Sequence, residues 1–384
     1  MQNFVFQNPT KILFGKGQIA RLNDEIPTQA RVLVTYGGGS VKRNGTLAEV
    51  RAALAGRTVF EFGGVEPNPT YETLMRAVDL ARKESVDFLL AVGGGSVVDG
   101  TKFISAAVPF VGEPWDIVAK KGMIEQVVPF GVVLTLPATG SEMNPAAVIT
   151  RKASRDKLGF INRMVYPRFS ILDPVKTYTL PPRQVANGVI DAFVHVIEQY
   201  LTFPAGAAVQ DRFAEGLLLT LIEEGPKALV SPQDYDVRAN IMWCATLALN
   251  GLISAGVPQD WTTHMIGHEL TVLYGLDHAQ TLAIVLPATL TVLREAKRAK
   301  LLQYASRIWG IATTDEDAAI NEAIARTRGF FESLGVPTRL AAYGVSAAGI
   351  PTVVEQLRRH GLLALGERQA VTLEVSERIL ALCA

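Results

Sequence analysis

Residues 86–92, Val-Asp-Phe-Leu-Leu-Ala-Val, form a run too uniformly apolar for a strand with one wet face, and Gly-Gly-Gly-Ser follows it at once. A strand of this kind is covered on both sides, which places it at the centre of a parallel sheet flanked by helices. The first 180 residues repeat the theme. Residues 31–36 read as a strand ended by Gly37-Gly38-Gly39-Ser40, residues 41–54 as a helix, and residues 57–62 as the next strand. Residues 70–84 place Tyr71, Leu74, Met75, Val78 and Ala81 on one helical face. Beyond residue 180 the β-branched runs give way to helical patterns over 184–200, 210–224, 238–252, 261–274 and 315–334. The expected architecture is an α/β parallel-sheet domain over 1–180 followed by an all-helical domain over 181–384. The boundary falls at Leu180-Pro181-Pro182, where the second proline can open a helix.

Charge and composition remove several functions. The 37 basic and 37 acidic side chains balance to zero, and no basic patch stands out, so counterion-release binding to nucleic acid has no source. The longest apolar stretches, 127–138 and 281–293, are each interrupted by proline and fall short of the roughly 20 residues that cross a bilayer. The N-terminus lacks the basic and apolar regions of a secretory signal. Cys244 and Cys383 are the only cysteines, with neither beside a histidine nor in a C-x-x-C spacing, so inert thiols in a reducing cytoplasm are expected. His360, in a charged stretch with Arg358 and Arg359, is expected to face solvent.

Two strand-to-helix junctions carry the same word, Gly37-Gly38-Gly39-Ser40 and Gly93-Gly94-Gly95-Ser96. Glycine allows close backbone approach, and the N-terminus of the following helix offers N–H groups to an anion. A ligand-free turn explains either one alone, and Ser96 with Asp99 also spells a local capping signature. Two at successive crossovers favour a nucleotide. There is no G-x-G-x-x-G, and the segment from Gly95 to Lys102 resembles a P-loop with its lysine one place late. A third turn, 135–142, offers Thr135, Thr139 and Ser141 after an apolar strand, at the sheet edge where open α/β folds bind ligands.

Three of the five histidines, His264, His268 and His278, fall within fifteen residues, and a fourth, His195, follows Asp191 by four. Asp191 with His195, and His264 with His268, each share a helical face. Asp191, His195, His264 and His278 would offer one carboxylate and three imidazoles, a set suited to Zn²⁺ or Fe²⁺ rather than Mg²⁺ or Ca²⁺. A metal with an open position polarises a carbonyl, and beside a dinucleotide this is hydride-transfer chemistry. The residues alone reach metal plus nucleotide, without singling out a dehydrogenase.

The chain resembles the iron-containing (group III) alcohol dehydrogenases. The matching words, in order, are Phe14-Gly15-Lys16-Gly17, Gly93 to Asp99, Thr135 to Glu142, Leu172-Asp173-Pro174, Asp191-x3-His195 and His264-x3-His268-x9-His278. The turn from Gly37 to Arg43 and Leu276-Asp277-His278-Ala279-Gln280 are similar to the NADPH-dependent aldehyde reductase branch. The resemblance implies a Rossmann-like N-terminal domain, a helical C-terminal domain, ligands in a cleft between them, and commonly a homodimer. It implies Asp191, His195, His264 and His278 as metal ligands and His268 near a small aldehyde or alcohol substrate. Gly38, Gly39, Ser40, Gly94, Gly95, Ser96, Asp99, Thr135, Thr139, Ser141 and Lys157 would touch the cofactor. NAD-using members commonly carry an acid at the end of the strand that here ends in Tyr36. Its absence, with Ser40, Lys42 and Arg43 close by, makes NADP(H) the expected cofactor. The rival is a dehydroquinate-synthase-like lyase, whose anionic substrate would need a Lys/Arg cluster that the segments around Asp191 and His264 lack. A non-catalytic metal- or nucleotide-binding protein is the plainer alternative.

Overall fold

The computed structural model describes residues 1–384, which divide into two compact units. One comprises Gln7–Leu180 and Gln233–Thr246; the other comprises Met1–Phe6, Pro181–Pro232 and Leu247–Ala384.

The first unit runs β1 (Lys11–Phe14), α1 (Leu22–Glu25), β2 (Arg31–Tyr36), α2 (Ser40–Arg43), α3 (Thr46–Ala53), β3 (Thr58–Gly63), α4 (Tyr71–Lys83), β4 (Phe88–Gly94), α5 (Gly95–Ala107), α6 (Asp116–Ala119), β5 (Phe130–Leu136), β6 (Ala146–Arg151), β7 (Asp156–Ile161) and β8 (Phe169–Leu172). Six strands form a sheet in the order β1-β8-β5-β4-β2-β3, and every pairing in it is parallel. The apolar run at 86–92 becomes β4, an interior strand whose residues Phe88 to Gly93 are all buried. One face packs Leu33, Leu89, Ala91 and Val132 with Leu74, Val78, Val98 and Phe103 of α4 and α5. The other packs Val32, Val34, Leu90 and Val92 with Leu47 and Val50 of α3.

The strand order reverses between β2 and β4. Chain direction runs outward from β2 to β3, then crosses back to β4 and on to β5, with the connecting helices on opposite faces. The carboxyl ends of β2 and β4 therefore diverge into a crevice, the place where open α/β sheets hold ligands.

Three local details differ from the sequence expectation. The helix over 41–54 is two pieces, because Gly45 takes φ of 81° and ends the first after one turn. Residues 146–161 form an antiparallel hairpin, β6–β7, apart from the parallel sheet. Ser96 and Asp99 do not cap α5; Ser96 Oγ accepts from the Asn68 N–H, and no side chain caps that helix.

The second unit holds α7 (Pro182–Tyr200), α8 (Ala208–Val230), α10 (Thr262–Tyr274), α11 (His278–Val292), α12 (Arg298–Arg307), α13 (Glu316–Ser333), α14 (Ile350–Arg359) and α15 (Leu373–Cys383), while most of α9 (Tyr235–Ala248) belongs with the sheet unit. A two-stranded ribbon of β9 (Ala364–Leu365) and β10 (Val371–Thr372) interrupts the otherwise helical texture. Pro182 opens α7 at its first turn. From Val185 to Tyr200 every residue of α7 is buried, so this helix is the core of its unit and carries no solvent face. Phe193 packs its ring 5.4 Å from Phe330 and 5.5 Å from Phe331 of α13. The two cysteines, Cys244 and Cys383, form no disulfide and are buried. No helix is long and apolar enough to cross a membrane.

Phe193→Ala removes a completely buried ring at this centre and is expected to destabilise by about 3–5 kcal/mol. Chemical denaturation followed by circular dichroism measures the loss; a change below about 1 kcal/mol would show that α7 does not organise the unit.

Candidate metal centre and nucleotide-binding edge

A helix buried on every side has no reason to carry ionisable groups unless they serve a purpose, because each costs desolvation. On α7, Asn187, Asp191, His195 and Glu198 recur every three or four residues, and all are buried. Asp191, His195 and His264 of α10 bring one ligand atom each within 4.8 Å of one another. His278, the first residue of α11, places Nε2 3.9 Å from Asp191 Oδ1. The ring centroids of His195 and His264 lie 4.3 Å apart, and those of His264 and His278 5.2 Å apart. His268, one turn along α10, has its ring 5.2 Å from His278 and 6.4 Å from His264.

Each donor is aimed by a neighbour. His195 Nδ1 lies 2.8 Å from the Asp191 carbonyl oxygen, a bond that leaves Nε2 as the lone-pair nitrogen. Glu198 accepts from the Thr263 N–H at 2.6 Å, the His264 N–H at 3.3 Å and His264 Nδ1, so one carboxylate both ties α7 to the start of α10 and selects the His264 tautomer. His278 lies within a capping box formed by Asp277 and Gln280, and Asn187 Nδ2 donates to Asp277 at 2.9 Å, which pins the start of α11 on α7. Behind Glu198, Asp260 pairs at 2.8 Å with Lys297, a fully buried ammonium that also reaches Glu367 at 3.0 Å.

The donor set fits a divalent transition metal. Asp191 Oδ1 is buried and has no hydrogen-bond partner, although His195 Nδ1 lies 3.0 Å away. Burial, and then the charge of Asp260, push the Glu198 carboxyl up to about 8, a cost that a cation at the neighbouring imidazoles would offset. One carboxylate and three imidazoles are Zn²⁺ or Fe²⁺ chemistry.

His360 is not solvent-facing. Its Nδ1 lies 2.7 Å from Glu269 Oε1, and its side chain is only 7% exposed. A histidine between arginine and glycine reads as surface, yet α14 turns it onto the residue next to His268.

At the sheet edge, the turns after β2, β4 and β5 lie at the carboxyl ends of adjacent strands. Gly39 takes φ of 94°, and a Cβ on Gly38 would meet nothing within 4 Å, so the backbone there is open to a ligand. Gly95 is closed instead: a Cβ would lie 2.5 Å from Thr139 Oγ1. Thr139 Oγ1 accepts from the Ser141 N–H at 3.2 Å, and Thr135 is buried near the end of β5. Ser141 Oγ donates to Asp99 at 2.5 Å, while the other Asp99 oxygen accepts from the Val148 N–H at 2.9 Å. The late lysine of the P-loop-like segment, Lys102, is buried and gives its ammonium to Ser141 Oγ, Asn144 Oδ1 and the Ala146 carbonyl, at 2.8, 3.0 and 2.6 Å. Burial lowers its pKa to about 8. Lys157 Nζ donates to Asn68 Oδ1 at 2.9 Å, so the β6–β7 hairpin meets the 67–69 loop beside Ser96. The uncapped first turn of α5 and the open Gly38 backbone are suited to phosphate oxygens.

Sequence reasoning did not single out Glu198, Asn68 or the structural use of Lys102. Glu198 had a readable signal: it sits one turn beyond His195 in an apolar helix, on the Asp191 face.

Known proteins match this arrangement over nearly the whole chain. The family model described as iron-containing alcohol dehydrogenase covers residues 9–174, and that for the C-terminal part of the Fe-containing family covers 185–377. The chain belongs to the iron-containing alcohol dehydrogenase family. It is 62% identical to the NADPH-dependent aldehyde reductase YqhD of Escherichia coli, over 99% of each chain. It is 42% identical to the probable NADH-dependent butanol dehydrogenase 1 of Bacillus subtilis, over 94% of this chain and 95% of the relative. The substrate- and cofactor-free structure of the aldehyde reductase YqhD superposes with a TM-score of 0.94 at 59% identity, covering 100% of both chains. The NADH-dependent butanol dehydrogenase A of Thermotoga maritima superposes at 0.96 with 36% identity, covering 100% of this chain and 99% of that one.

For a divalent ion held by these donors, Glu198→Gln keeps a polar partner for His264 but removes the charge. Metal affinity is expected to fall about 10–100-fold, read by chelator competition. An unchanged dissociation constant would strip Glu198 of its aiming role.

Proposed function

We propose that this member of the iron-containing alcohol dehydrogenase family reduces aldehydes to primary alcohols, reversibly, with NADPH as hydride donor and one divalent metal ion. The meeting of Asp191, His195, His264 and His278 at the core of the helical unit carries this reading. The 62% identity to an NADPH-dependent aldehyde reductase supports it over the full length. Family membership favours Fe²⁺ over Zn²⁺, which the same donors would accept. The lyase alternative gains nothing from the comparisons.

When bound, the metal would polarise a substrate carbonyl and NADPH would supply the hydride that reduces it. The protein's own part is positional. Glu198 and the Asp191 carbonyl set the tautomers of His264 and His195, while Ile266 and Leu270, completely buried on the other face of α10, pack that helix into the apolar core of its unit. His268 would relay a proton through an imidazole nitrogen to the alkoxide oxygen as the alcohol forms. Gly38, Gly39 and Ser40 would receive the 2′-phosphate end of the cofactor, with Lys42 and Arg43 supplying charge. Gly94, Gly95 and Ser96 would receive the pyrophosphate, while Asp99, Thr135, Thr139, Ser141 and Lys157 shape or touch the rest. A cytoplasmic homodimer is part of the same proposal, with size-exclusion chromatography as its check.

Absorbance loss at the NADPH band on adding butanal tests the reaction; the lyase and non-catalytic readings predict none. Asp191→Ala and His264→Ala are expected to lose bound metal and turnover together, measured by metal analysis and rate. Full activity in a demonstrably metal-free variant would refute the ligand set. His268→Ala is expected to lower kcat by about 10²–10⁴-fold with metal retained, the range typical of a lost acid–base group. A pH–rate profile unaltered by that substitution would remove the relay.

A further inference from the structure

Strand β2 ends in Tyr36, at the place where an acid would read ribose hydroxyls, yet a carboxylate stands on the neighbouring strand. Strands β2 and β3 pair with Val34 opposite Glu61 and Tyr36 opposite Gly63, so Tyr36 and Glu61 project from the same face. The Tyr36 ring lies across Gly63, where a Cβ would come within 2.7 Å of its Cζ, and its hydroxyl donates to Glu61 Oε2 at 3.4 Å. Lys42 Nζ sits 5.0 Å from the centre of that ring. Lys42 follows Ser40 by two residues on the same one-turn helix, so Glu61, Tyr36 and the Ser40 turn form one contiguous patch.

Glu61 is not bare there. Arg51 of α3 grips it with Nε on Oε1 at 2.6 Å and a terminal nitrogen on Oε2 at 2.9 Å. The Arg51 hydrogen bond holds the Glu61 carboxyl below its ordinary range, so the charge is present and neutralised. We infer that Arg51 is a specificity-determining residue: by clamping Glu61 it keeps the chain's own carboxylate from repelling the 2′-phosphate of NADPH. This rests on NADPH being the cofactor. Arg51 acts through Glu61, and because partly exposed pairs of this kind add little to stability, the fold survives its loss.

Fluorescence titration of the purified protein with NADPH and NADH tests the inference without turnover. Arg51→Met is expected to weaken NADPH binding roughly five- to tenfold at low salt, the scale of one unpaired charge at a partly exposed site, while NADH changes by less than about twofold. Raising the ionic strength erodes that loss. Glu61→Gln alone binds NADPH at least as tightly as wild type, and Arg51→Met/Glu61→Gln recovers wild-type affinity. If the double variant stays as weak as Arg51→Met, Arg51 touches the phosphate itself and the inference is overturned. Equal weakening of both nucleotides by Arg51→Met overturns it too. A wild type without preference for NADPH overturns the cofactor reading and the inference together, which separates the two failures.

Discussion

Glu198 joins two helices through three N–H donors, and the rest of the helical unit depends on that junction. Its carboxylate takes the N–H groups of Thr263 and His264 and the Nδ1 of His264, so the helix carrying two of the candidate site histidines is anchored at its start as well as by core packing along its length. Trp261, just before α10, takes φ of 65° with no side-chain cap, an uncommon conformation for a bulky residue. The glutamate and Asp260 satisfy the N–H groups that such an entry leaves open, Asp260 accepting from Thr262 at 3.0 Å. Two carboxylates in one buried corner repel, and Lys297 answers only the outer one. The inner carboxyl is held by its three N–H donors, and a cation beside His264 would stabilise its charged form.

The sheet unit solves a different problem. Its two glycine turns look interchangeable in sequence, but the topology assigns them opposite sides of the point where strand order reverses. One turn leads to α3 on one face and the other to α5 on the opposite face, so their helices diverge and leave the strand ends uncovered. The same divergence brings β3, with Glu61, to the flank of the first turn. Cofactor preference at this edge is therefore a matter of charges on adjacent strands as well as the residue that ends β2.

Much of this was legible from residue order because burial leaves periodic traces. β2 coincides with the expected 31–36, and the apolar run at 86–92 is interior to the sheet, shifted two residues because Gly93 and Gly94 continue as strand. Asp191 with His195 was readable as a helical pair, and the structure brings His264 to it. The β6–β7 hairpin was not readable: Ala-Ala-Val-Ile-Thr-Arg and Asp-Lys-Leu-Gly-Phe-Ile show no polar–apolar alternation, and the Lys-Ala-Ser-Arg turn between them holds neither glycine nor proline. Asn68 was hidden because its role comes from a φ of 56° between two prolines and from partners 28 and 89 residues away. His360 misled because its partner lies 91 residues away, and local charge says nothing about contacts at that range.

The two buried polar clusters show how a scaffold differs from a site. Lys102 has three N–H donors and three acceptors, and the Asp99 and Ser141 beside it are likewise bonded within the protein. Such a network completes itself; its product is a fixed turn from Thr139 to Asn144. The cluster on α7 is built otherwise. Its hydrogen bonds run outward, to the Asp191 carbonyl, to Glu198 and through Asp277 to Asn187, and they fix the orientation of imidazoles whose nitrogens approach Asp191. Asp191 Oδ1, itself buried, has His195 Nδ1 at 3.0 Å and His278 Nε2 at 3.9 Å. One buried carboxylate approached by three imidazoles, with their neighbours holding them rigid, is a donor set that suits a divalent transition metal.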